Sequence, residues 1–181
     1  MSRERRPSDY MEIFFEPGDF QFTTDPDVRF RTLLGSCVAL TMWHPKRRYG
    51  AMCHYLLPTR GKDNRSDLDG RYGDEAYLMF LRECARHYTN PAHYEIKLFG
   101  GGDMFPAIDK ARDMSIGQKN IAAGLALMDH LGMQFKARHV GGVGHRVVML
   151  DVWDGAVWVK HQVPAPSPTP SRPRKKKVVH A

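Results

Sequence analysis

The chain has 181 residues, 42% of them hydrophobic, which suits one folded domain with tails better than two domains. The formal net charge is +7, but five of the 27 basic residues lie after Gln162, where the chain has no Asp or Glu. The other 22 basic residues nearly match the 20 acidic ones, so we expect no nucleic-acid partner for the folded part. No apolar stretch approaches the roughly 20 residues of a membrane-spanning helix. No export signal is visible, so we expect a cytoplasmic protein without membrane insertion.

Both ends of the chain differ in composition from the middle. Residues 1–9 are mostly charged and polar, and we expect a flexible N-terminus. Residues 163–181 alternate Pro with small polar residues and then run into Arg-Lys-Lys-Lys, so they cannot bury enough apolar surface to offset their ordering entropy. This predicts a disordered basic tail, more often a solvated segment than a contact for nucleic acid, lipid or acidic protein. The folded domain is expected over residues 10–162.

The first half of the domain predicts strands followed by a helix. Two short extended segments precede a strand hairpin that turns at residues 44–48. These four strands are expected at residues 12–15, 28–32, 37–43 and 50–57. Residues 58–74 are rich in Gly, Asp, Asn and Arg, which predicts a surface loop of functional length.

The helix after this loop is predicted from apolar residues at helical spacing. It has an acidic first turn at Asp74 and Glu75, and Asn90-Pro91 is expected to stop it. Its apolar stripe consists of Tyr77, Phe80, Leu81, Cys84 and Tyr88.

The second half of the domain continues with strands around a second helix. A strand over residues 94–99 ends in three consecutive glycines, and Ser115 is the expected N-cap of a helix that Gly132 stops. The stripe of this helix is Ile121, Leu125, Met128 and Leu131. Further strands are expected at residues 135–140, 146–152 and 156–160, the last two joined at Asp154-Gly155. The order of elements shows no strict βαβ alternation, so we predict an α+β fold with a mixed sheet system and helices packed outside.

The most informative chemical pattern is a cysteine and a histidine on the two strands of the predicted hairpin. Cys37 starts the first strand and His54 lies near the end of the second, so both are expected at the same end of the pair. A thiol beside an imidazole is a better nucleophile, because the imidazole removes its proton. Gly35 and Ser36 permit a tight turn whose N–H groups would face an oxyanion. Together these groups suit acyl transfer.

The same residues also allow a purely structural interpretation. A cysteine that leads an apolar strand is usually a small buried hydrophobe, and spacing alone favours that interpretation for Cys37. Cys53 and Cys84 are expected to be packing residues, and the three cysteines are not expected to form disulfides. No C-x-x-C or H-E-x-x-H spacing occurs and no nucleotide-binding motif is present, so neither a metal nor a cofactor is expected.

Five segments of the chain resemble the CheD family of chemoreceptor glutamine deamidases. Thr32-Leu33-Leu34-Gly35-Ser36-Cys37-Val38-Ala39 and Gly50-Ala51-Met52-Cys53-His54-Tyr55-Leu56-Leu57-Pro58 are similar to the segments that carry the family's nucleophile and base. The other three are Lys97-Leu98-Phe99-Gly100-Gly101-Gly102-Asp103-Met104-Phe105, Ile116-Gly117-Gln118-Lys119-Asn120, and Val140-Gly141-Gly142 with Gly144-His145-Arg146. The resemblance spans about residues 10–160 in the family's order.

The resemblance implies a cysteine hydrolase with a β-sandwich-like core flanked by helices, similar to bacterial toxin deamidases. Cys37 would be the nucleophile, His54 the base, and Thr32 the nearest match to the family's threonine. The implied reaction converts receptor glutamine side chains to glutamate without a cofactor, and its partners would be methyl-accepting chemotaxis receptors and a CheC-type phosphatase.

Three other functions stay open at this stage. One is a non-catalytic adaptor that binds receptors or the phosphatase, another is a thiol peptidase, and the third is a nucleic-acid-binding module that uses the basic tail. The residues that contact substrate are unknown from sequence. Arg146 and Asn120 are candidates that are equally compatible with structural roles.

Overall fold

The computed structural model describes residues 6–61, 67–104 and 114–163. In these ranges the chain forms nine strands, two α-helices and one short 3₁₀ helix at Pro91–His93. The strands are β1 Met11–Phe15, β2 Phe20–Thr23, β3 Val28–Leu34, β4 Val38–His44, β5 Tyr49–Tyr55, β6 Glu95–Gly100, β7 Ala137–Val140, β8 His145–Asp151 and β9 Val157–Gln162. The helices are α1 Gly73–Arg86 and α2 Ile116–His130.

The strands form two sheets. The first sheet has the order β1-β3-β8-β9 and the second has the order β2-β5-β4-β6-β7. Within them β1 pairs with β3 in parallel and β6 pairs with β7 in parallel, whereas the other neighbours are antiparallel. The predicted α+β fold with mixed sheets is therefore confirmed.

The two sheets pack face to face, and the helices cover the outer face of the second sheet. Phe30 and Leu150 of the first sheet share a buried cluster with Met52 of the second. On the other face of the second sheet, Leu40 packs in a cluster with Phe80 of α1 and Met128 of α2, among others. Burial of these apolar side chains supplies the main driving force for the layered arrangement. The expected sandwich-like core is present, with both helices on the same side of it.

Helix α1 is shorter than predicted at its C-terminal end. Tyr77, Phe80 and Cys84 are buried as expected, but α1 ends at Arg86. Tyr88 was wrongly assigned to the buried stripe: its φ of 51° turns the backbone away from the helix, and its side chain is 93% exposed. Asn90 lies outside α1 and caps the 3₁₀ helix by accepting a hydrogen bond from the Ala92 N–H.

Helix α2 begins and ends as its sequence predicts. Ser115 and Gln118 form a reciprocal capping box, with the Ser115 hydroxyl accepting from the Gln118 N–H. Gly132 has a φ of 62° and reverses the chain. Met128 is buried, whereas Leu131, the C-cap residue, is 39% exposed and does not belong to the buried stripe.

Most of the predicted strands are present, and one strand was not predicted. The β4–β5 and β8–β9 hairpins are confirmed, whereas β2 was missed. No helix within the described ranges is long and apolar enough to cross a membrane. Outside the described residues lie Phe105, residues 1–5 of the predicted N-terminal segment, residues 62–66 of the predicted loop and residues 164–181 of the predicted tail.

Candidate active site

The β4–β5 hairpin brings Cys37 and His54 to the same end of the second sheet. Ala39 of β4 is directly opposite His54 of β5, so their side chains lie on the same face. Cys37 precedes Ala39 by two residues and packs against the same inter-sheet cluster as Ala39. Cys37 and His54 therefore lie at the same end of the hairpin and on the same face of the second sheet.

Thr32 reaches His54 from the opposite sheet. Its hydroxyl oxygen lies 2.8 Å from His54 Nδ1, and it is also 3.0 Å from the Phe15 carbonyl oxygen. A hydroxyl has one proton, and the carbonyl can only accept, so Thr32 donates to Phe15. The contact with the ring then requires His54 Nδ1–H to donate to the Thr32 oxygen. Thr32 thus selects the tautomer in which His54 Nε2 carries a lone pair.

This lone pair of His54 has no partner in the described part of the chain. His54 is 2% exposed, and its Nε2 atom is buried without a hydrogen bond. Burial lowers the pKa of His54 to about 4, although the Phe15 carbonyl and Asp19 act in the opposite direction. The imidazole is therefore neutral at physiological pH, with an unpaired base nitrogen on the face that it shares with Cys37.

The cysteine is also uncharged in the free protein. Burial raises the pKa of the Cys37 thiol, and a hydrogen bond from its own backbone N–H opposes this rise. A neutral thiol and a neutral imidazole avoid the cost of desolvating a buried charge.

The peptide groups that precede and follow the cysteine are held in place through three consecutive carbonyl oxygens. The Gly35 oxygen accepts a hydrogen bond of 2.8 Å from the Gly102 N–H, and the Cys37 oxygen accepts one of 2.7 Å from the Gly101 N–H. Between them, the Ser36 oxygen accepts a hydrogen bond of 3.2 Å from the Asn120 side chain. The N–H groups of Ser36 and Cys37 donate no backbone hydrogen bond within the described residues. They are the donors expected at an oxyanion site.

The glycines after β6 allow this close approach of two backbone segments. A Cβ atom at Gly100 would lie 2.3 Å from the Cys37 oxygen, and Gly100 has a φ of 109°. A Cβ atom at Gly102 would lie 2.2 Å from the Gly144 oxygen. Both contacts are impossible for a residue with a side chain, so packing requires glycine at both positions: Gly100 against the Cys37 segment and Gly102 against Gly144.

Arg146 and Asn120 are fully buried rather than available to a ligand. Arg146 is 1% exposed; its Nε donates to His139 Nδ1 at 2.8 Å and its Nη2 donates to the Gly141 oxygen. It therefore supports the glycine turn after β7, whose Gly142 oxygen accepts from the Asp103 N–H. Asn120 is 0% exposed. Because both side chains are buried, neither is accessible to a substrate at the surface of the free protein.

The other two cysteines lie in the core, as predicted. Cys53 and Cys84 are buried in the cluster between the second sheet and the helices. Burial raises the pKa of Cys53 to about 12, opposed only weakly by a backbone hydrogen bond from Leu40, so this thiol is unreactive at neutral pH. Among the residues that the structure describes, no group of three or more His, Cys, Asp or Glu is arranged to hold a metal ion.

The lowered pKa of His54 makes the stability of the protein depend on pH. The pKa is about 4 in the folded protein against an ordinary value of 6.5, so between these values the unfolded chain binds the proton and the folded chain does not. The free energy of unfolding should therefore fall as the pH falls, by about 2 kcal/mol between pH 7 and pH 5 from this residue.

Denaturant unfolding at both pH values, for the unaltered protein and for His54→Gln, measures this contribution. The loss of stability between pH 7 and pH 5 should be smaller by about 2 kcal/mol in the variant. His44 and His139, whose pKa values burial also lowers, are present in both proteins and cancel in the comparison. Equal pH dependence in the two proteins would contradict a buried neutral His54.

A half-buried thiol and an unpaired imidazole nitrogen on one face of a hairpin, with a hydroxyl that fixes the imidazole tautomer, form the type of site found in cysteine hydrolases. The sequence profile described as "CheD chemotactic sensory transduction" matches residues 56–161. The chain belongs to the CheD family.

Individual relatives extend this match over most of the chain. A protein of Pseudomonas syringae pv. tomato named probable chemoreceptor glutamine deamidase CheD is 46% identical over 159 residues, which cover 87% of this chain and 94% of the relative. A relative with the same name from Pseudomonas fluorescens is 43% identical and covers 87% of this chain and 89% of its own. Among solved structures, the hypothetical protein YfiH of Bacillus licheniformis gives a TM-score of 0.41 at 15% identity, covering 70% of this chain and 50% of that protein.

Proposed function

We propose that this protein is a cytoplasmic chemoreceptor glutamine deamidase that uses Cys37 as nucleophile, His54 as base and Thr32 to orient His54. The observation that carries the proposal is the buried, unpaired Nε2 of His54, whose tautomer is set by the 2.8 Å contact with Thr32. A buried nitrogen without a hydrogen-bond partner destabilises the fold, and a catalytic role explains why it is present. The names of the relatives supply the substrate class.

In the first half of the reaction, a thioester replaces the amide. His54 Nε2 takes the proton of the Cys37 thiol as Sγ attacks the side-chain carbonyl carbon of a receptor glutamine. The negative charge that develops on the carbonyl oxygen is stabilised by the N–H groups of Ser36 and Cys37. His54 then returns its proton to the nitrogen of the leaving group, the carbon–nitrogen bond breaks, and ammonia departs.

In the second half, water hydrolyses the thioester. His54 Nε2 removes a proton from water, whose oxygen attacks the same carbonyl carbon and forms a second oxyanion at the same donors. The carbon–sulfur bond breaks, and the thiolate of Cys37 recovers the proton from His54. The net reaction consumes one water and one side-chain amide and yields a glutamate and ammonia. It is balanced without a redox partner or metal.

The remaining features of the chain are assigned by the same proposal. The deamidase domain comprises residues 10–162, and residues 1–9 and 163–181 have no part in the proposed reaction. Chemotaxis receptors are the substrates, and a CheC-type phosphatase is a second partner. Nucleic acid has no role in the proposed function.

Incubation of a glutamine-bearing receptor fragment with the protein should release ammonia and increase the mass of the fragment by about 1 Da per converted glutamine. A receptor that binds without any mass change would favour a non-catalytic adaptor.

Thr32→Val should reduce turnover without weakening substrate binding. Valine has nearly the same shape but cannot accept the His54 Nδ1–H, so the imidazole can adopt the tautomer in which Nε2 is protonated and unable to act as a base. We expect kcat to fall by roughly tenfold or more, with KM within about threefold. Thr41→Val is the matched control, because Thr41 is also a buried threonine but lies farther along β4. Equal activity of the two variants would exclude the assigned role of Thr32.

A further inference from the structure

Asn120 makes two hydrogen bonds that no pairing between strands supplies. Its side-chain nitrogen donates to the Ser36 carbonyl oxygen at 3.2 Å and to the Leu56 carbonyl oxygen at 2.8 Å. The assignment of the amide follows from these contacts, because the reverse orientation would place its oxygen against two carbonyl oxygens. Both carbonyl groups lie just beyond Val38 and Tyr55, the last paired residues at the open end of the β4–β5 hairpin.

The peptide that accepts the first hydrogen bond contains the N–H of Cys37. In a trans peptide the carbonyl and the N–H point in opposite directions, so fixing the Ser36 oxygen also fixes the Cys37 N–H. This N–H donates no backbone hydrogen bond within the described residues, so it is available to an oxyanion. A hydrogen bond at the carbonyl also polarises the peptide and makes its N–H a stronger donor.

The second hydrogen bond ties the nucleophile strand to the base strand. Leu56 follows His54 by two residues, and Ser36 immediately precedes Cys37. One amide nitrogen that contacts both carbonyl groups therefore limits how far the two strands separate where no strand pairing continues. The distance between the Cys37 thiol and His54 Nε2 depends on this separation.

Helix α2 is itself held firmly enough to act as a support. Asn120 lies in the second turn of this helix, after a first turn that the Ser115 capping box fixes. One turn earlier, a Cβ atom at Gly117 would lie 2.5 Å from the Gly101 oxygen, so the start of α2 sits directly on the glycine segment after β6. The Asn120 side chain thus projects from a fixed helix.

We propose that Asn120 is the positioning residue of the active site: its side-chain amide orients the Ser36–Cys37 peptide toward the oxyanion and holds the Cys37 and His54 strands together. This inference rests on the proposed cysteine hydrolase function and assigns Asn120 a role in the transition state rather than in substrate binding. It also accounts for a fully buried amide at a position where an apolar residue would pack more simply.

The test compares Asn120→Leu with Tyr55→Phe. Leucine has a similar size but no donor, so both carbonyl oxygens lose their partner, whereas Tyr55→Phe removes a buried hydrogen bond to the backbone of α2 and leaves the amide contacts intact. We expect kcat for a receptor fragment to fall by about ten- to a hundredfold in Asn120→Leu, with KM within about threefold. Tyr55→Phe should keep kcat within about threefold of the unaltered protein while lowering the thermal midpoint.

A glutamine-derived peptide aldehyde provides a second readout that does not require receptor recognition. The Cys37 thiol adds to the aldehyde to form a hemithioacetal, whose oxygen occupies the oxyanion position. The inhibition constant should rise in Asn120→Leu by about the same factor as kcat falls, and should be nearly unchanged in Tyr55→Phe. Asn120→Asp, which keeps the shape of the side chain, serves as a second variant with the same expectation if the leucine variant fails to fold.

The outcomes separate this inference from the proposed function. If the unaltered protein binds the aldehyde but does not deamidate receptors, the proposed substrate is wrong and the aldehyde series still tests Asn120. The Asn120 variants and Tyr55→Phe are compared for their loss of kcat and of aldehyde affinity. Equal losses in the two would overturn the positioning role of Asn120. Failure of the unaltered protein to form the adduct would overturn it together with the assignment of Cys37.

Discussion

Cys37→Ala is expected to lower the rate of ammonia release from a glutamine-bearing receptor fragment by more than about a thousandfold. The variant keeps the fold, because the half-buried thiol makes no hydrogen bond to another described side chain and alanine fits in its place. What it removes is the atom that forms the covalent bond to the substrate. Water attack on an unactivated amide is too slow to replace it, since the thioester route divides one difficult step into two easier ones.

Cys84→Ala is the matched control for this variant. Cys84 is a free cysteine of α1 that is 1% exposed and packs between the second sheet and the helices, whereas Cys37 packs between the two sheets. Its replacement should lower stability through a small cavity and leave the rate within about threefold. Receptor binding should persist in Cys37→Ala. A similar loss of rate in both variants would show that fold damage, rather than loss of the nucleophile, accounts for the effect.

His54→Gln is expected to lower kcat by about a hundred- to a thousandfold near pH 7 and to change the shape of the pH–rate profile. In the unaltered protein the base is neutral above its pKa of about 4, so the rate should be nearly flat from pH 5.5 to pH 8. Without the base, only the ionised fraction of Cys37 reacts. Burial raises the pKa of this thiol, so the residual rate should increase about tenfold per pH unit across the same range.

His44→Gln provides the control for removing a buried histidine. His44 is 6% exposed and lies at the far end of β4, where its ring packs edge-on against Tyr94. This variant should retain the flat profile and most of the activity. A flat profile in His54→Gln would mean that another group ionises Cys37, and the assignment of His54 as base would have to be abandoned.

The position of the Cys–His pair was predictable because it depends on a local element. The turn at residues 44–48 and the alternation of side chains in β4 and β5 determine the register, and the register places Ala39 opposite His54. Once that register is known, Cys37 must lie on the same face at the open end. The second helix was equally predictable, since the Ser115 capping box and Gly132 mark its ends through local hydrogen bonds and backbone conformation.

The rest of the site depends on packing between distant elements, which sequence periodicity does not encode. Thr32 lies on the other sheet, and only the stacking of the two sheets brings its hydroxyl to His54. Asn120 was visible as a polar residue directly before the apolar stripe of the second helix, but its contacts with Ser36 and Leu56 require α2 to be placed on the second sheet. Strand β2 was missed because it has only four residues, and its pairing partner β5 lies far along the chain.

The proposed hydrolysis of receptor glutamines passes through a thioester on Cys37. The most direct measurement is peptide mass spectrometry of a receptor fragment after incubation in ¹⁸O-enriched water. Hydrolysis incorporates one solvent oxygen, so a converted glutamine should gain about 3 Da instead of the about 1 Da seen in ordinary water, and only when Cys37 is present. A receptor fragment that binds the protein yet shows no mass gain at any glutamine would contradict the account.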